Sequence, residues 1–238
     1  MELVSVVIAW LTNPDNWTGP NAIPLRIGEH IAISGASLVI AAGIGLPIGL
    51  VIGHTGRATT FAINLANLGR AIPSLAAIAI VVPFTQALDP DLGFSLYPTV
   101  IGMVVLAIPP LLVNAYAGVS QVDRDLVEAA RAMGLRERAI LTGVEMPIAL
   151  PVIVGGIRSA AVQVIATATL GAIYSLGGLG RFIVDGIAQR DDGQIFGGVV
   201  LVAALALTSE GAFALIQRRL TSPGLRRRTH RTAAVAGA

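Results

Sequence analysis

Residues 31–53 read IAISGASLVIAAGIGLPIGLVIG, a run without a charged side chain, flanked by His30 and His54. About 20 apolar residues in a helix cross the hydrocarbon core of a bilayer. This stretch is long enough to do so and predicts the first membrane span. Its Gly35, Gly43, Gly45 and Gly49 suit close packing against a neighbouring helix, and Pro47 is expected to kink it. The same reading extends along the chain. Residues 71–88 form a second uncharged run between Arg70 and Asp89, with Ile72-Pro73-Ser74 at its start. A third span is expected at about 96–117, broken or kinked at Pro109-Pro110. The fourth covers 151–174 with Arg158 inside it, and the fifth covers 197–217 with Glu210 inside it.

Composition agrees. Of the 238 residues 54% are hydrophobic and 13% charged, against about 25% charged in soluble domains. These values exclude a soluble enzyme with one buried core, a disordered chain and a collagen-like chain. There is no cysteine, so disulfides, thiolate metal sites and cysteine nucleophiles are excluded. The three histidines, His30, His54 and His230, are far apart in sequence, which argues against a histidine metal site. All 16 basic residues are arginine, and none of the basic patches is interleaved with aromatics. The basic excess therefore reads as membrane topology and not as nucleic-acid binding.

With five spans and the C-terminus inside, the inner segments carry Arg57, Arg70, Arg124, Arg131, Arg136, Arg138, Arg218, Arg219, Arg226, Arg227, Arg228 and Arg231. The outer segments carry only Arg26, Arg181 and Arg190, and Asp89, Asp91, Asp185, Asp191 and Asp192 collect there. The positive-inside rule then places the N-terminus outside and the C-terminus in the cytoplasm. Residues 1–24 are expected to be an interfacial segment and an extracytoplasmic loop. Residues 25–220 are the transmembrane domain, and 221–238 an Arg-rich cytoplasmic tail. The first eleven residues are apolar but too short to span, and lack the basic start and cleavage site of a signal peptide.

One inner loop, 118–150, is long enough to be functional. Val122, Leu126, Ala129, Ala130 and Met133 recur at helical spacing. Asp123 and Asp125 suit a helix N-terminus, and Gly134 suits its C-cap. A second helix is expected from near Arg136 to just before Pro147. The pattern gives a helical hairpin whose small residues could enter a groove on another protein; from the pattern alone, an amphipathic connector lying on the membrane serves equally well.

The spacing within this loop resembles a known family. Glu128-Ala129-Ala130, three residues, Gly134, nine residues, then Val144-Glu145-Met146-Pro147 is similar to the EAA loop of permease subunits of ABC importers. There the pattern is E-A-A, three residues, G, nine residues, I-x-L-P; Val144 and Met146 stand for Ile and Leu. Further stretches follow in order: Ala71-Ile72-Pro73-Ser74-Leu75-Ala76, Asn114-Ala115-Tyr116-Ala117-Gly118-Val119, Leu150-Pro151-Val152-Ile153, Gly156-Ile157-Arg158, Thr167-Ala168-Thr169-Leu170 and Gly177-Gly178-Leu179-Gly180. Together they resemble the permeases for glycine betaine, carnitine, choline and related osmoprotectants, over about residues 25–225. Val113 departs from the pattern, since many relatives carry a basic residue there.

The resemblance implies an all-α membrane protein of about five transmembrane helices, in the type I ABC importer permease fold, with a cytoplasmic coupling-helix hairpin. Glu128, Ala129, Ala130, Gly134, Val144, Met146 and Pro147 would couple it to a separate ATPase subunit. ATP and Mg would be bound by that partner, with no cofactor in this chain. The other implied partners are an extracytoplasmic substrate-binding protein and a second, identical or homologous, permease subunit around a two-fold axis. The expected setting is the cytoplasmic (inner) membrane of a bacterium, in contact with lipid and not with nucleic acid.

Single residues add detail. Ser74, Asn114, Gln163, Thr167 and Thr169 are candidates for the translocation path, although polar residues in spans more often join helices. Arg158 and Glu210 fall at similar depth towards the inner face and are expected to pair. Gly177–Gly180 follows a span, not a strand, so it reads as a turn or re-entrant segment and not as a phosphate loop. Both Trp lie in the first 17 residues and the three Tyr are scattered, so no aromatic cage for a quaternary ammonium is expected in the spans. Recognition would fall to the binding protein. Two other readings stay open: a permease of the same fold for methionine or another amino acid, and a self-contained secondary transporter or channel.

Overall fold

The computed structural model describes residues 2–220. The Arg-rich tail expected at 221–238 lies outside the described residues. Every regular element among them is helical. In chain order these are α1 (Glu2–Thr12), α2 (Ile23–Thr55), α3 (Thr59–Ala71), α4 (Ser74–Ala79), α5 (Val82–Leu88), α6 (Leu96–Ser120), α7 (Arg124–Ala132), α8 (Glu137–Ile140), α9 (Met146–Ala168), α10 (Gly180–Gln189) and α11 (Asp192–Leu220). A π turn, Leu141–Glu145, joins α8 to α9, and a 3₁₀ turn, Thr169–Tyr174, follows α9.

Among the described residues four helical stretches are long and apolar enough to cross a membrane: Ile23–Thr55, Leu96–Ser120, Glu137–Tyr174 and Asp192–Leu220. They contain the first, third, fourth and fifth expected spans. The second is different. Residues 71–88 do not form one helix but end α3 and continue as the short α4 and α5. Pro73 disfavours helical backbone at Ile72 and so stops α3. Pro83 lacks the N–H that would carry α4 forward, and it sits in the first turn of α5, where that N–H is not needed.

The core lies where α2, α6 and α9 meet, built from Ala41, Met103, Val104, Ala107, Leu111, Ala160, Val164 and Ala168. Its side chains are small because the helices run close together. A Cβ on Gly49 would lie 2.3 Å from the Leu112 carbonyl oxygen and 2.8 Å from Ala115 Cβ, and one on Gly53 would lie 2.7 Å from Val119 Cβ. Gly45, Gly49 and Gly53 thus form the seam of α2 against α6. Gly35 and Gly43, expected at a close contact too, face open space. Many large apolar side chains point outward, among them Val39, Ile80, Phe84 and Leu207, each at least 70% exposed. That distribution suits a hydrocarbon solvent, in which apolar surface costs nothing to expose.

The prolines inside the spans do not break them. α2 runs through Pro47 and α6 through Pro109-Pro110 without a break. Pro110 frees the carbonyl of Leu106, four residues earlier, and Gln163 Nε2 from α9 donates to that oxygen at 3.3 Å. Re-satisfying a freed carbonyl from a neighbouring helix is what makes intramembrane proline tolerable. Near Pro147 the helical path does not stop: α8 ends at Ile140, and a π turn carries the chain directly into α9. The backbone widens instead: Met146 N–H bonds back five residues to Leu141 O, and Pro147 then falls in the first turn of α9. The wider turn relieves the clash of a proline ring with the carbonyl four residues before it.

α1 lies along α11. The Trp10 ring covers Gly197, where a Cβ would come within 2.2 Å of it. Trp10 also meets Phe182 edge to face, with centroids 5.1 Å apart.

Candidate functional site

The hairpin α7–α8 is built by local chemistry. Asp123 caps α7, its side chain accepting from Asp125 N–H at 3.0 Å. At the other end Gly134 adopts φ +84°, the left-handed region that favours glycine. Its N–H bonds to Arg131 O at 3.0 Å, and Leu135 N–H bonds to Ala130 O at 3.2 Å. These two bonds are the Schellman closure of a helix. Among the EAA residues Ala130 is buried against the body, while Glu128 and Ala129 are exposed. Leu126 is 50% exposed and Met133 74%. With Ala129 they lie three and four residues apart and form one apolar stripe on the outer face of α7. Val144 lies in the π turn, and Met146 and Pro147 open α9, so these three sit behind the hairpin and not on the stripe.

Charged groups tie the hairpin to the body. Arg131 Nε donates to Glu137 Oε1 at 2.7 Å and its Nη2 to Glu137 Oε2 at 2.9 Å. The hydrogen bonds to this carboxylate, and then its charge, push the guanidinium above its usual range. His54, at the end of α2, places Nε2 3.1 Å from Glu137 Oε2 and Nδ1 2.5 Å from Glu145 Oε2. Glu145 is 4% exposed. His54, Arg131 and Glu145 border a cavity of about 310 Å³ between the ends of α2 and α6 and the hairpin, with Tyr116, Arg124 and Glu128 also on its wall. His54 and Glu145 escape a sequence reading because 91 positions separate them.

A second cavity, of about 260 Å³, opens between α6 and α9. It unites two of the five path candidates, Asn114 and Gln163, with Ser159, Pro109, Pro110 and Gly69. Both candidates also bond the α6 backbone: Asn114 Nδ2 donates to Pro110 O at 2.7 Å, and Gln163 Nε2 to Leu106 O. The other three lie elsewhere. Ser74 starts α4, Thr167 is buried within α9, and Thr169 Oγ1 donates locally to Ala166 O at 2.7 Å. Ser159 was missed because a lone serine in a span carries no sequence signal.

Arg158 of α9 and Glu210 of α11 form an ion pair, and nearby Gln217 Nε2 donates to Pro151 O at 2.7 Å. At the end of the molecule away from the hairpin, Gly177-Gly178-Leu179 makes a tight turn, with Gly178 at φ +90°. Glu29 Oε2 accepts from Gly178 N–H at 2.7 Å. His30 Nδ1 accepts from Leu179 N–H at 3.2 Å, so its ring proton is on Nε2, 3.0 Å from Ile165 O. Phe94 and Tyr174 meet edge to face at 5.6 Å.

The chain is similar to known proteins over most of its length. A family model described as binding-protein-dependent transport system inner membrane component matches residues 45–227. The carnitine transport permease protein OpuCB of Listeria monocytogenes is 34% identical, over 83% of this chain and 88% of that protein. The choline transport system permease protein OpuBB of Bacillus subtilis (strain 168) is 31% identical, over 84% of this chain and 88% of that protein. Among solved structures, an inward-facing conformation of the MetNI methionine ABC transporter superposes with TM-score 0.76 at 23% identity, covering 89% of this chain and all of that one; this likeness shows the fold.

Proposed function

The chain belongs to the family of binding-protein-dependent transport system inner membrane components, and from that premise we propose that it is the permease subunit of an ATP-driven importer of osmoprotectants. The substrate class is glycine betaine, choline, carnitine or proline. The observation that carries this reading is the pair of relatives above 30% identity, one a carnitine and one a choline permease, each covered over 88% of its own length.

In this reading the exposed stripe Leu126, Ala129 and Met133 enters a groove on a cytoplasmic ATPase subunit, which binds ATP and Mg. Glu128 and Gly134 set the pose of the stripe, and Val144, Met146 and Pro147 fix the hairpin to α9. The hairpin end is cytoplasmic, as is the C-terminus, and the Gly177–Gly180 turn faces outside in the inner membrane of a bacterium. Residues 25–220 work as one transmembrane unit, and 1–24 lie against its outer end. The cavity bearing Asn114, Gln163 and Ser159 is a segment of the path, completed by a second permease subunit. Its few neutral polar groups would hold a zwitterion or cation weakly, and weak binding favours release. A separate extracytoplasmic protein supplies the affinity.

The test is reconstitution with the ATPase subunit and binding protein, followed by uptake of labelled glycine betaine, choline, carnitine, proline and methionine. ATP-dependent uptake of one of the first four is expected. Uptake without the ATPase subunit, or of methionine alone, overturns the proposal. Met133→Asp should lower co-purification of the ATPase subunit and uptake together, by at least about tenfold, since a buried charge in the docking groove has no partner.

A further inference from the structure

α2 is held by specific side-chain bonds at both ends. At the hairpin end His54 touches Glu137, at the start of α8, and Glu145, in the π turn, and Glu137 is gripped in turn by Arg131 of α7. One imidazole therefore contacts the chain on both sides of Leu141, and reaches α7 through a single carboxylate. At the far end, Glu29 and His30 bind consecutive backbone N–H groups of the Gly177–Leu179 turn. From His30 to His54 α2 runs unbroken, a rise of about 36 Å. The glycine seam presses its inner half directly onto the backbone of α6.

Most of what faces α2 along this length is apolar packing, which supplies no directional bond. The two histidine-centred contacts are directional: His30 is buried at 1% exposed, and the His54–Glu145 contact is largely shielded, with side chains 11% and 5% exposed, while Glu137 on the other side of the ring is 53% exposed. The π turn adjoining Glu145 is also the one irregular step between hairpin and span. Such turns are frequent at functional sites. A displacement of α7 by a bound partner reaches Glu137 and Glu145 first, and among the described residues His54 is the α2 side chain that pairs with those two carboxylates.

We propose that His54 is a positioning residue that ties the hairpin to α2, and that α2 acts as a rod carrying hairpin displacement to the Gly177–Leu179 turn at the opposite face. The inference rests on the reading of the chain as an ATP-driven permease, and assigns that reading a route through the molecule. His54 touches no substrate in this scheme. It fixes the relation between the place where nucleotide acts and the turn that closes the other end.

The chain has no cysteine, so Ser175→Cys, at an exposed position beside the turn, gives a single reporter thiol. The permease and its ATPase subunit are placed in nanodiscs, and the rate of maleimide labelling is measured with and without a non-hydrolysable ATP analogue. With His54 present, nucleotide should change the rate at least about fivefold, the lower end of ordinary allosteric coupling. His54→Gln and, separately, Glu145→Gln should reduce the change to less than twofold while the ATPase subunit still co-purifies. The double variant should do no more than either alone, as expected for one shared contact. Glu29→Gln should have the same effect from the other end. A purely structural histidine would lower the melting temperature and leave the nucleotide response. A full response in His54→Gln or Glu145→Gln overturns the inference alone. Absence of any response in the chain with His54, together with absence of ATP-dependent uptake, overturns the permease reading and this inference with it.

Discussion

At the scale of single residues, two glycines decide local geometry for different reasons. Gly49 is needed for space. Valine there would drive into the Leu112 carbonyl and Ala115, and we expect Gly49→Val to cost about 1–3 kcal/mol, read as a lower thermal midpoint and a lower yield of monodisperse protein. Gly134 is needed for its backbone angle, with open space around it. Gly134→Ala should cost about 1 kcal/mol and loosen the hairpin, measured as faster amide exchange in 124–140 with unchanged exchange in α6. Gly134 was legible in sequence because a C-cap glycine closes a visible helical period. The role of Gly49 was only half legible. Its neighbours Gly35 and Gly43 carry the same sequence signal and touch nothing, since which face of a glycine-rich helix meets a partner depends on a second helix some sixty residues away.

Elements show where an apolar run is ambiguous. Charge-free length located four spans, because expulsion from water depends on composition and hardly on detail. The same criterion merged α4 and α5, where Pro73 and Pro83 act on backbone geometry and leave hydropathy untouched. In α6 the ambiguity ran the other way, since Pro109-Pro110 allowed either a break or a kink and the helix continues through them. The missing fact was Gln163, a donor on α9 that meets the carbonyl freed by Pro110. Replacing it by Leu should leave that oxygen without this partner and cost about 1 kcal/mol, detectable as a lower thermal midpoint. If Gln163 contacts substrate as well, the affinity for transported solute also falls. A change in KM with no change in thermal midpoint would assign Gln163 to the path alone. At 147 a π turn absorbs the proline.

For the whole molecule, the arrangement divides labour between two ends of a bundle whose middle is small side chains and close backbones. The hairpin end bears the His54–Glu137–Glu145 cluster, the far end bears a glycine turn bound by α2, and the cavity between α6 and α9 lies between them. The EAA spacing made the hairpin legible as a unit. The His54–Glu145 contact behind it was not, since nothing local to either residue marks the other. The pairing of α9 with α11 is testable at this scale. Arg158→Gln and Glu210→Gln should each reduce the yield of folded protein, because each leaves one charge without its partner. The double variant should recover most of the yield, and strictly additive losses in a quantitative membrane-fraction assay would contradict the pairing.

The same pair constrains how the protein is made. Arg158 leaves the ribosome 52 residues ahead of Glu210, so while the chain is growing the fourth span carries an uncompensated positive charge into the bilayer. Its partner is not yet synthesised. An arginine alone in a helix is tolerated at the insertion machinery far better than in open lipid. The ion pair that joins two finished helices is therefore expected also to set a schedule, with α9 held beside the translocation channel until α11 arrives, so a nascent chain stopped before Glu210 should cross-link to the channel through α9 and one stopped well after it should not.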